Sequence, residues 1–212
     1  MTALNFCIQR NEIYVAMDTL ATSPVGTEPY LYTTKFYILP HLKMVICGTG
    51  FAQVIIDWFI QVNTSILVQD ICHLDEYAVE MLQKLGSKHL LDKSKTATIY
   101  HFGWSQLEEC STGFIYRSEN KFLSERLQNG IGIKPHFNRN NWIDNANEEI
   151  DFIKIIQKQK LLDRQQVKHQ QVGIGGEIHL LHITQKAILV KQLHRFDDYD
   201  NEYLKMTENL CK

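Results

Sequence analysis

Four features within the first fifty residues carry groups that do chemistry. Thr2 places a hydroxyl directly after the initiator, Asp18 ends an apolar run with a carboxylate, and Lys35 ends a later run with a cation. Gly48-Thr49-Gly50 forms a small-residue turn between an apolar run and a helical pattern. Hydroxyl, carboxylate and cation are the group types of nucleophilic catalysis. Singly, each also has a plainer reading: a common start, a strand-end turn residue, a solvated lysine, a tight strand-to-helix turn. The other candidates are weaker. His179 and His182 lie three apart in a strand pattern and so face opposite sides, a poor metal pair. His194 with Asp197, Asp198 and Asp200 reads as a solvated acidic run. Gly173-x-Gly175-Gly176 precedes a strand and lacks the Lys-Ser/Thr of a phosphate loop. No metal and no cofactor is expected.

The elements that must position these groups fall into three blocks. In residues 2–48, Thr2, Leu4, Phe6 and Ile8 alternate with Ala3, Asn5 and Cys7, and residues 13–17 run up to Asp18 after a polar turn. Strands at 30–35, 36–39 and 44–47 follow, with Pro40-His41 as a bend. The second block is helical. Phe51, Val54, Ile55, Trp58, Phe59 and Val62 repeat at helical spacing, as do Leu74, Tyr77, Ala78, Met81, Leu82 and Leu85. Asp75 and Glu76 open the second helix and Gly86 is expected to close it. The third block returns to strands at 96–104, 111–117 and 122–128, ending in a turn at Gly130-Ile131-Gly132. Asn145-x-x-Glu148 reads as a capping box for a helix to about Lys160. A hairpin at 177–184 and 187–193 completes the chain. Clustered strands with separate helices favour an α+β arrangement, with packed antiparallel sheets covered by helices.

Composition removes several function classes. The 212 residues suit a single domain, 1–212, and contain 22 Lys+Arg against 24 Asp+Glu, for a net charge of −2. Without a basic block, electrostatic binding to nucleic acid or a membrane surface is not expected. The best apolar runs, 43–47 and 51–60, are short or broken by Gln53 and Asp57, so no span is read. Nor is a signal peptide. The five cysteines, Cys7, Cys47, Cys72, Cys110 and Cys211, are odd in number and have no C-x-x-C spacing. That pattern gives neither a disulfide framework nor a zinc site, and points to the cytoplasm.

Taken together and in order, the first four features resemble the start of a proteasome β subunit or of its simpler bacterial homologues. That family belongs to the N-terminal nucleophile hydrolases. The segments TALNFCIQRNEIYVAMDTLAT and TTKFYILPHLKMVICGTG carry the likeness, through Thr2, residues 15–22, Lys35, Pro40 and the Gly48 turn. It covers residues 2–85 well, and the second half mainly through the Gly175-Gly176 hairpin. The resemblance implies a four-layer sandwich of two antiparallel sheets with helices on both outer faces. It also implies roles: Thr2 as nucleophile with its own α-amine as base, and Lys35 favouring the alkoxide. Asp18 would hold Lys35 charged. The Gly48 N–H would serve as oxyanion donor at the start of the following helix, and Ile46 and Thr49 would sit in the substrate pocket. An acyl-enzyme ester on Thr2 would form and then be hydrolysed.

The resemblance further implies a homo-oligomeric ring acting on peptide or unfolded-protein substrates. With no ATPase motif in the chain, an unfoldase would be a separate partner. Two departures stand out. Where the family carries a Ser in a Gly-Ser-Gly turn, and an Asp and a Ser before its Gly-Gly hairpin, this chain has Ile131, Gln171 and Ile174 by position. The amine is also free only once Met1 is removed, which the small Thr2 side chain favours. Three readings therefore stand: a threonine-type peptidase subunit, a non-catalytic assembly protein of the same fold, and a small-amide acylase.

Overall fold

In the computed structural model, which describes residues 2–23, 28–92, 94–137 and 149–210, the alternating N-terminal segment forms β1 (Leu4–Ile8), antiparallel to β2 (Glu12–Asp18). Every position of β1 is buried, because each face of the strand meets a different core. Leu4, Phe6 and Ile8 point into the space between two sheets, whereas Ala3 and Cys7 pack beneath a helix. On that second face the Asn5 and Gln159 amides exchange hydrogen bonds of 2.8 and 3.1 Å. Buried amides are stable only when partnered, so this reciprocal pair fixes the helix over β1.

One sheet has the order β10-β1-β2-β11-β12. Its remaining strands are β10 (Gly130–Lys134), β11 (Glu177–Thr184) and β12 (Ile188–Arg195). The second sheet runs β5 (Phe36–Leu39), β6 (Met44–Gly50), β7 (Ala97–Ser105), β8 (Cys110–Arg117) and β9 (Ser124–Arg126) in chain order. The hairpin β3 (Leu20–Thr22) and β4 (Pro29–Tyr32) stands apart. Both five-stranded sheets are antiparallel throughout. Helices α1 (Ala52–Ser65) and α2 (Ile71–His89) cover the outer face of the second sheet, packing Trp58, Leu74 and Leu82 against Met44, Ile46 and Ile99. Helix α3 (Glu149–Arg164) covers the first sheet through Phe152, Ile155 and Ile156. The layers are helix, sheet, sheet, helix: the αββα sandwich expected.

Local differences have physical reasons. Helix α2 runs through Gly86 to His89. Gly86 is there to admit a neighbour, since a Cβ at this position would stand 2.6 Å from Phe122 Cε2. Gly86→Ala gains helix propensity of about 1 kcal/mol but overpacks a buried ring, which costs about 1–3 kcal/mol. A net loss of stability is expected in urea unfolding, and a gain would show that Phe122 moves freely. Gly130-Ile131-Gly132 is strand, not turn: all three residues pair with β1, Ile131 opposite Cys7. The acidic run after His194 leads into a helix that the sequence reading did not contain, α4 (Tyr199–Leu210). Glu202 N–H donates to the Asp198 carbonyl at 2.9 Å at its start, while the Asp198 carboxylate binds Lys160 at 2.7 Å. Residues 145–148, and with them the capping box, lie outside the described residues, as does Met1.

Candidate active site

Asp18 organises the site. It is 1 % exposed, at the end of β2, and every neighbour on its carboxylate is a donor. Lys35 Nζ and the Ala3 N–H both reach Oδ1 at 2.9 Å, and the Gly175 N–H reaches Oδ2 at 3.2 Å. One side chain thus ties together the lysine, the residue after Thr2 and the loop before β11. That loop is shaped in turn by Asp163, a buried carboxylate at the end of α3. It accepts from the Val172 N–H at 2.6 Å and the Gly173 N–H at 2.9 Å. The next turn needs glycine at Gly176, whose φ is +77°.

Lys35 precedes β5 and also donates to the Leu20 carbonyl at 2.6 Å. An ammonium has three donors, so one is left without a partner among the described residues. Burial lowers the pKa of Lys35, because it penalises the cation, and Asp18 opposes that shift by pairing with it. Asp18 thus opposes the effect of burial on the lysine without cancelling it.

Gly48 sits within β6, opposite Ile99, and not in a turn at a helix start; α1 begins at Ala52. The helix-start position expected for Gly48 is therefore not found, and the strand register decides which way its N–H turns. Phe51 N–H bonds the Thr96 carbonyl at 2.8 Å and Trp104 N–H bonds the Lys43 carbonyl at 3.0 Å, so the odd-numbered residues of β6 bond β7. Alternation then turns the Gly48 N–H to the opposite side. There the β5 ladder has already ended at the Phe36–Cys47 pair, and Lys35 leaves the strand. Gly48 itself lines a cleft. A side chain at Gly48 is excluded, since its Cβ would lie 2.4 Å from the Thr98 carbonyl oxygen and 2.8 Å from Ile55 Cδ1.

The cleft has a volume of about 170 Å³, and Thr2, Lys35, Gly48 and Thr49 all line it. Thr2 itself is only 8 % exposed. Of the residues assigned to substrate, Thr49 is at the cleft, whereas Ile46 is fully buried under α1 and α2. The same alternation explains this. Met44 and Ile46 face the helices, while Val45 and Cys47 face the other sheet, and Thr49 continues the latter set. The apolar wall comes instead from Ile55 and Ile56 on α1, which a strand-based reading had no means of placing.

The three positions expected beside the amine have other addresses. Ile131 lies opposite Cys7, five residues along β1 from Thr2, about 17 Å at strand spacing. The Gln171 amide donates to the Gln166 carbonyl at 3.1 Å, and Ile174 is buried in the core beneath α3. Because Leu4 pairs with Lys134, the chain just beyond β10 is what reaches Thr2. His136 shares a cavity wall with it. Among the described residues no group of three or more His, Cys, Asp or Glu side chains is placed to hold a metal ion. No described helix is long and apolar enough to cross a membrane.

No family model and no curated protein sequence matches the chain. Among solved structures it is similar to the Anbu (Gly-1) mutant from Hyphomicrobium sp. strain MC1, with a TM-score of 0.63 and 11% sequence identity. The match covers 100% of this chain and 95% of that one. Sandwich topology and full-length superposition agree: the chain has the proteasome-like, N-terminal nucleophile hydrolase fold.

Proposed function

We propose that this protein is a single-domain threonine-type amide hydrolase that cleaves peptides through an acyl-enzyme on Thr2. The observation that carries the reading is the convergence of Thr2, Lys35 and Gly48 on one cleft, with Asp18 bonded both to Lys35 and to the backbone next to Thr2. In this reading the Thr2 Oγ attacks the scissile carbonyl carbon. Its proton passes to the α-amine, whose reference pKa of ~7.7–8.0 leaves part of it neutral near pH 7. The Lys35 ammonium stabilises the alkoxide, and the Gly48 N–H donates to the carbonyl oxygen as it gains charge. Loss of one such donor in comparable sites costs ~3–4 kcal/mol of transition-state stabilisation. The amine portion leaves with a proton, and water then hydrolyses the Thr2 ester, regenerating the hydroxyl.

The small cleft, with Ile55 and Ile56 on one wall, suits a medium apolar side chain on the acyl part of the substrate. By likeness of fold we further propose a closed homo-oligomeric ring in the cytoplasm, supplied with unfolded chains by a separate ATPase. Light scattering at subunit mass would remove the ring.

The nucleophile is tested by intact mass before and after incubation with a β-lactone. The expected result is a chain lacking Met1 that gains one adduct, and Thr2→Ala gains none. A chain with Thr2 freed that forms no adduct would leave a non-catalytic assembly protein. An adduct-forming chain that is monomeric and cleaves only small amides would be an acylase.

A further inference from the structure

A second cavity, of about 410 Å³, meets the cleft at Thr2 and Thr49, which line both. Apolar surface comes from Phe6 and Leu127, and three basic side chains, Arg117, Lys134 and His136, complete the wall, with no Asp or Glu among the lining residues. Arg117 is already engaged, pairing with Glu125 at 2.5 Å. Lys134 is different. Its ammonium donates to a neutral partner, Thr98 Oγ1, at 2.9 Å. Among the described residues it has no carboxylate within ion-pair distance. Burial pushes its pKa down, Arg117 pushes the same way, and Glu119 acts against both. A partly buried cation of this kind is incompletely compensated, and an anion entering the cavity would supply what the protein does not.

Its position gives that anion a role. Lys134 pairs with Leu4, two residues after the nucleophile. The carbonyl under attack belongs in the cleft with Lys35 and Gly48, so the amine part of the amide lies on the other side of Thr2, where this cavity opens. We propose that the second cavity is the leaving-group subsite, and that Lys134 selects amides whose amine part carries a carboxylate. The inference rests on the hydrolase reading of Thr2. The carboxylate has two sources: the side chain of an acidic residue after the scissile bond, or the α-carboxylate of a residue that ends the chain. Either presents two acceptor oxygens to the donors that Lys134 has left.

The test uses internally quenched peptides with Ile before the scissile bond and Glu, Gln or Lys after it, all amidated at the C-terminus. A second pair ends in the residue after the bond, as free acid or as amide. A charge-assisted hydrogen bond predicts about a tenfold higher kcat/KM for Glu than for Gln if the side chain is read, or for acid over amide if the terminus is read. Lys134→Gln should bring the ratio close to one, and Lys134→Arg should keep it. Taken within each variant, the ratio does not move when fold or nucleophile is merely weakened. Ratios of one on both arms in the unaltered protein, or a preference that survives Lys134→Gln, overturn the proposal. If no peptide is cleaved, binding decides. Acetyl-Glu-amide, acetyl-Gln-amide and acetyl-Gln as the free acid are titrated and followed by NMR. Equal shifts from all three overturn the subsite, whereas a Lys134-dependent preference for either carboxylate upholds it. The β-lactone adduct reports separately on Thr2, so the two readings fail distinguishably.

Discussion

Asp18→Asn is expected to destabilise the fold by about 3–5 kcal/mol, the range for removing one partner of a buried ion pair. For a domain of this size that corresponds to a fall in Tm of roughly 6–20 °C. The reason is specific. All three groups on the carboxylate are donors, namely Lys35 Nζ, Ala3 N–H and Gly175 N–H. An Asn has one acceptor oxygen, so its NH2 must face a donor and at least one buried N–H loses its partner. The Lys35 ammonium, whose pKa burial already lowers, then loses the charge that opposes that shift. Adduct formation on Thr2 should fall with it. Replacing both members together, as Asp18→Leu with Lys35→Met, should cost less stability than Asp18→Asn while leaving no reactivity. Such a result would mean that the pair is kept for chemistry and not for the fold. Thermal unfolding of the variants decides, and an Asp18→Asn protein as stable as the parent would show that the site relaxes.

The second large effect lies outside the cleft. His101 is fully buried on β7, and burial holds its pKa down at about 3. Trp58 Nε1 donates to its Nε2 at 2.8 Å, so the proton sits on Nδ1, which has no partner among the described residues. In the unfolded chain an ordinary histidine titrates near ~6.5. Below that pH the unfolded state takes up a proton that the folded state refuses until about 3. This contribution to stability is therefore complete above ~6.5 and is lost as pH falls, by about 1.4 kcal/mol per pH unit. His101→Gln keeps an acceptor for Trp58 and cannot titrate. Between pH 6.5 and 4 the parent should lose about 3 kcal/mol more than this variant in urea unfolding. Parallel pH profiles would show that water or relaxation reaches His101.

How far the sequence foretold this molecule depended on what each signal measures. Alternation in residues 2–18 and helical spacing in 51–62 and 74–85 are local, and they became β1, β2, α1 and α2. Whether a strand face meets solvent or a second layer is not local, and β1 is covered on both sides. The same limit explains Ile46: counting back from Gly48 places a residue near the cleft in sequence, but strand alternation sends it under Trp58. Gly86 and Gly130-Ile131-Gly132 were read as punctuation because glycine is most often that, whereas here close packing and strand pairing claim them. The periodic Tyr199, Tyr203 and Met206 held a signal for α4, which the acidic run before them obscured. For the site, Asp18 and Lys35 were legible as a pair. The donors that complete the pair's surroundings, Gly175 and the loop held by Asp163, come from strand order and could not be read from spacing.

The sheet order also dictates when the site comes into being. Strands β5 to β9 are neighbours in both sequence and space, so that sheet can assemble as the chain leaves the ribosome. The sheet that holds Thr2 and Asp18 cannot, because β2 lies between β1, made first, and β11, made almost last. Contacts of such sequence separation form slowly. Until residue 184 has emerged, β2 has an open edge, and until Gly175 has emerged Asp18 lacks that donor. A chain truncated before β11 would thus hold Thr2, Lys35 and the cleft wall, yet leave the carboxylate that joins them unanchored on one side.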